Sequence, residues 1–81
     1  MKKIINVDLN NIESVKKFCN KTFKFNGKLT LKSDIYVIDA KSIMGIFSLD
    51  LSKPIELHID GENENDVNEF IKNIKEFIVE K

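Results

Sequence analysis

The chain has 81 residues, 42% of them hydrophobic, and its thirteen lysines balance thirteen acidic residues with no arginine at all. That length gives one small domain over residues 1–81, and the apolar content is enough for a packed core, which excludes general disorder. No apolar run nears the ~20 residues of a membrane-spanning helix. The neutral balance, with few aromatics among the lysines, argues against direct nucleic-acid binding.

The charge is unevenly spread. Residues 1–53 carry ten lysines and five acids, while residues 54–81 carry three lysines and eight acids. Either the two parts attract each other across the fold, or a basic surface faces an acidic partner. Lacking arginine, any phosphate site must rely on backbone N–H groups, hydroxyls or lysine. Cys19 is the sole cysteine, so no internal disulfide is possible, which suits a reducing cytoplasm. The start, Met1 to Asn6, has two lysines but no long apolar stretch or cleavage site, so it does not read as a secretory signal.

Lys3 to Val7 is rich in β-branched residues and reads as a strand. Asp8, Asn10 and Asn11 then offer helix caps, and Asn10 with Glu13 would make a capping box. Ile12, Val15, Phe18 and Cys19 follow on one helical face, with Lys16, Lys17 and Lys21 on the other. Phe23 to Phe25 and the Asn26-Gly27 turn end that helix. Leu29 and Leu31 alternate with polar residues as in a strand, and Ser33-Asp34 turns into a second strand, Ile35 to Asp39.

Ser42 to Leu49 reads as a brief amphipathic helix capped by Ser42, and Pro54 blocks its continuation. Ile55, Leu57 and Ile59 alternate with Glu56, His58 and Asp60 in a half-buried strand that Gly61 ends. Asn63 caps the last helix, whose stripe is Val67, Phe70, Ile71, Ile74, Phe77 and Ile78. The order is βαββαβα. Helices with one apolar stripe must lie on a sheet, and alternating strands leave its other face to water. This predicts a two-layer α+β domain, either an open-faced sandwich or a ferredoxin-like relative.

Lys41 to Leu49, KSIMGIFSL, closely resembles the regulatory segment of HPr, the phosphocarrier of the bacterial sugar phosphotransferase system. Gly61 and Glu64-Asn65-Asp66 resemble the G-x-x-E-N-D before that family's last helix, and the element order is also similar. The resemblance implies the HPr-like α+β fold, an open-faced two-layer sandwich whose four-stranded antiparallel sheet has helices on one face. The resemblance implies regulatory phosphorylation at Ser42, by an HPr-type serine kinase using ATP. It also implies a contact patch of Met44, Phe47 and Ile43 that docks a transcriptional regulator.

The family's phosphoacceptor motif, G-I-H-A-R-P-A, is missing. Residues 9–15 read LNNIESV, and no histidine precedes His58. Aligned back from Ser42, Asn11 stands at the phosphoacceptor histidine and Glu13 at the arginine. An asparagine amide is not a competent nucleophile for phosphoryl carriage. The chain thus resembles the catabolite-repression paralogues of HPr, which lack that histidine and keep the serine. It is read as a binding partner and substrate, not an enzyme, with no cofactor.

An unphosphorylated HPr-fold interaction module, its Ser42 only a cap, is the alternative. His58 should face solvent, with no companion ligands for a metal. Cys19 reads as a small core hydrophobe. Lys16, Lys17, Lys21 and Lys24 read as a solvated face, and Asp60, Glu62, Glu64 and Asp66 lack the spacing of a calcium loop.

Overall fold

A computed structural model describes residues 1–79. Strands β1 (Lys2–Val7), β2 (Gly27–Ser33), β3 (Tyr36–Asp39), β4 (Ile55–Gly61) and β5 (Ile78–Val79) form one antiparallel sheet in the order β3-β2-β4-β1-β5. Helices α1 (Ile12–Thr22), α2 (Ile43–Phe47) and α3 (Glu64–Asn73) cover one face. The α+β open-faced sandwich predicted from the sequence is the fold.

Register explains which face is which. Leu29 opposes Ile59, Leu31 opposes Leu57, and Ile55 opposes Val7, so the apolar half of each alternation lines the covered face. All of these residues are buried. α1 adds Val15, Phe18 and Cys19, α2 adds Ile46, and α3 adds Val67 and Phe70. Two aromatic pairs tie the layers: Phe18 meets Phe77 edge-on at 5.8 Å, and Phe25 meets Phe70 at 4.9 Å. Gly27 and Gly61 face each other across β2 and β4. A Cβ on Gly27 would lie 2.5 Å from the Phe25 ring, and one on Gly61 would lie 2.9 Å from the same ring. The missing side chains make the slot that this aromatic fills.

Four expectations need correction. The last apolar stripe is not one helix. α3 stops at Asn73, a 3₁₀ turn spans Lys75–Phe77, and Ile78–Val79 becomes a fifth strand beside β1. The Asp8 N–H donates to the Phe77 carbonyl at 2.8 Å, so the open edge of β1 takes backbone groups that a longer helix would have used internally. Ile74 and Phe77 stay buried because a spacing of three suits a 3₁₀ turn as well as an α-helix. Ile12, at the first turn of α1, is 61% exposed, since Leu9 and Val15 already fill the core there. Ile35 belongs to the β2–β3 turn and not to β3; the left-handed Asp34 (φ 54°) bends the chain before it. Finally, no ion pair joins the basic part to the acidic part among the described residues, where Lys53–Asp50, at 3.9 Å, is the only lysine–carboxylate pair.

Candidate functional site

Two helix N-termini carry the candidate residues. At α1 the cap is Asn11, one residue later than the Asn10 the sequence suggested. Its backbone is extended and its Oδ1 accepts from the Ser14 N–H at 2.8 Å. The other side of the amide donates to Asn10 Oδ1 at 3.2 Å. With Asn11 as cap, Ser14 holds the third helical position, so Glu13 cannot close the expected capping box. Glu13 lies exposed in the first turn and gives this end a carboxylate. The amide is thus occupied as a structural cap.

At α2 the predicted cap is in place. Ser42 Oγ accepts from the Gly45 N–H at 3.2 Å, and the Ser42 carbonyl accepts from Ile46 at 3.0 Å. Ser42 itself is exposed. The turn before it is pinned three ways. The Asp39 carbonyl accepts from the Ser42 N–H at 3.0 Å, the Asp39 carboxylate accepts from the Lys41 N–H at 2.9 Å, and the Lys41 ammonium donates to the Phe25 carbonyl at 3.1 Å. Lys41 therefore ties the serine's turn to the end of the α1 segment, a role that sequence periodicity could not reveal. Its ammonium is spent on carbonyls instead of standing free beside Ser42.

Five residues of helix divide cleanly. Ile46 is fully buried and anchors α2, while Met44 is 78% exposed and Phe47 is 41% exposed. Ile43 is exposed to a similar degree as Phe47. The predicted contact residues thus stand around Ser42 on the water side, and the core role that competed for Met44 is not what the fold uses. Asp50 builds the next turn: its Oδ1 accepts from the Ser52 Oγ at 2.6 Å and from the Ser52 N–H at 3.1 Å. Those hydrogen bonds hold its carboxyl below the usual range.

The remaining candidates stand apart. Cys19 is buried under α1, and that burial pushes its thiol up. His58 lies on the open face of the sheet and is half-buried, with Nε2 2.9 Å from Glu56 Oε1. The alternation places these two side by side on one face, but the pairing was not foreseen. Among the described residues no three metal-binding side chains converge, and no helix is long and apolar enough to cross a membrane.

This fold, with a capped serine turn beside an exposed apolar patch, defines a small open-faced α+β domain. The family model described as the PTS HPr component phosphorylation site matches residues 12–80, and the chain belongs to the HPr family of the phosphotransferase system. That family is one of phosphocarriers, not of catalytic enzymes, and its partners are phosphotransferase-system proteins. Solved structures share the fold. The phosphocarrier protein HPr from Bacillus anthracis str. Ames is 23% identical, with a TM-score of 0.70 over 98% of this chain and 96% of that one. HPr-C-His from Thermoanaerobacter tengcongensis is 24% identical, with a TM-score of 0.66 over 94% and 88%. The histidine-containing phosphocarrier protein of Mycoplasma is 18% identical, with a TM-score of 0.66 over 94% and 89%. No curated protein matches the sequence.

Proposed function

We propose that this chain is a regulatory HPr-like protein of the cytoplasm, switched by phosphorylation of Ser42 and not competent to carry a phosphoryl group on histidine. The observation that carries the reading is Ser42 itself: an exposed hydroxyl at the start of α2, flanked by exposed Met44, Phe47 and Ile43 and held by buried Ile46. An HPr-type serine kinase would bind ATP as the phosphoryl donor. Ser42 Oγ would attack the terminal phosphorus, the bond to ADP would break, and the hydroxyl proton would pass to a base in the kinase.

The product adds a charge of about −1.5 to −2 at neutral pH. Its oxygens would lie at the N–H groups that open α2, so little refolding is needed. The Asp39 carboxylate, bonded to the Lys41 N–H, adds negative charge close by. With Lys41 engaged elsewhere, the modified turn would stay strongly anionic. A regulator carrying basic residues and an apolar groove would read that anion together with Met44 and Phe47. Asn11 supports the other half of the reading, because its amide is already a cap and offers no labile phosphoramidate chemistry.

The test is intact mass after incubation with ATP and an HPr-type serine kinase, with Ser42→Ala as control. One added phosphoryl group on the parent chain alone is expected. No addition, while an authentic HPr is modified in parallel, would leave Ser42 as a cap and the chain as an unphosphorylated interaction module. A regulator that binds Ser42→Ala equally well under phosphorylating conditions would also overturn the reading.

A further inference from the structure

The face of the sheet away from Ser42 carries a second concentration of functional groups. Lys2, Ile4 and Asn6 of β1, Lys28, Thr30 and Lys32 of β2, and Glu56, His58 and Asp60 of β4 point to this side. Thr30 and Ile4 stand directly opposite His58 on its two neighbouring strands, with Lys28, Lys32 and Lys2 on the diagonals. Together with Lys3, these groups line a shallow concavity of about 240 Å³ that includes His58 and Asp60. Four lysines and one carboxylate surround it, on a chain whose net charge is zero.

The lysines are uncommitted. Lys28 and Lys2 both oppose Asp60, yet neither forms an ion pair with it among the described residues. Lys32 opposes Glu56, but Glu56 turns to His58 instead. That contact takes Nε2 and leaves Nδ1 without a hydrogen-bond partner among the described residues. Four lining lysines against the single lining carboxylate of Asp60 leave an excess of positive charge, which attracts a compact, multiply charged anion better than a singly charged one. The Thr30 hydroxyl adds a neutral donor.

We propose that this concavity binds a small soluble phosphoryl compound, a phosphate monoester or pyrophosphate, through Lys2, Lys28, Lys32 and Thr30, with His58 beside them. The charged groups facing the ring are Glu56 and Asp60 on its own strand, Lys28 and Lys32 on β2, Lys2 on β1, and Asp39 of β3 beyond Thr30. This site is independent of the switch proposed for Ser42.

Titration of the ¹⁵N-labelled chain with pyrophosphate at constant ionic strength tests it. Saturable amide shifts confined to Ile4, Lys28, Thr30 and His58 are expected. Lys28→Gln/Lys32→Gln should weaken binding about fivefold or more, from two partly screened charges. Lys16→Gln/Lys17→Gln removes the same charge from α1 and should change nothing. Non-saturable shifts, or equal losses in the two double variants, would overturn the proposal. Binding to vesicles of phosphatidylcholine with phosphatidic acid but not to free pyrophosphate would also overturn it.

Discussion

The starts of α1 and α2 are built alike and equipped differently. Each opens on an exposed residue in extended conformation whose side-chain oxygen accepts from the N–H three residues on, at 2.8 Å for Asn11 and 3.2 Å for Ser42. At α1 the cap is an amide, chemically inert, with a carboxylate in the first turn. At α2 it is a hydroxyl, with no acidic residue in the first turn and an apolar patch alongside. Capping geometry alone therefore does not make a site. The same backbone device starts both helices, and it carries an inert amide at one and an exposed hydroxyl at the other.

The comparison breaks most severely if α2 loses its anchor. Ile46→Ala should cost about 2–5 kcal/mol, because the side chain is fully buried between the helix and the sheet. A urea midpoint measures it, and a loss below ~1 kcal/mol would mean that α2 docks by other contacts. Asn11→Ala and Ser42→Ala sharpen the comparison. Each should lower stability by about 1 kcal/mol, as the loss of a helix cap does. Only Ser42→Ala should change the response to the kinase, so a phosphorylation defect in Asn11→Ala would show that the two ends are coupled.

Met44→Ser should shift stability by less than about 0.5 kcal/mol, since the side chain is mostly in water. It should weaken regulator binding nonetheless, which calorimetry with the phosphorylated chain would detect. Smallest is the effect of Cys19. Its thiol is pushed up in the folded state, so the folded chain holds its proton where the unfolded chain releases it. Stability should be unaffected below the ordinary thiol range of about pH 8–9 and fall slightly above it. Thiol-reagent labelling near neutral pH should proceed only as fast as the chain unfolds, and immediate labelling would place Cys19 at the surface.

Much of this was legible in the sequence because local chemistry decided it. The strict alternation of Ile55, Leu57 and Ile59 fixed β4 and its buried side, and Ser42 and Asn63 announced their helices. The α1 cap was read one residue early, since adjacent asparagines offer the same oxygen and only the backbone angle separates them. The C-terminal turn and β5 were out of reach, because the groups that stop α3 belong to β1, some seventy residues away in the chain. Lys41's hold on the Phe25 carbonyl and the Glu56–His58 contact depend likewise on where strands and turns meet. At the candidate site the serine and its patch came from sequence resemblance, and their exposure came from packing.

The paired glycines beside Phe25 bear on how the domain can change over time. Each position is closed twice, because a Cβ on Gly27 would also meet the Asp60 carbonyl oxygen at 2.8 Å and one on Gly61 would meet Val67 Cγ2 at 2.6 Å. A lineage that trims Phe25 alone therefore frees neither glycine, and Gly61 opens only if Val67 is trimmed as well. Gly27, pressed against backbone that no substitution removes, should be the last of these positions to vary.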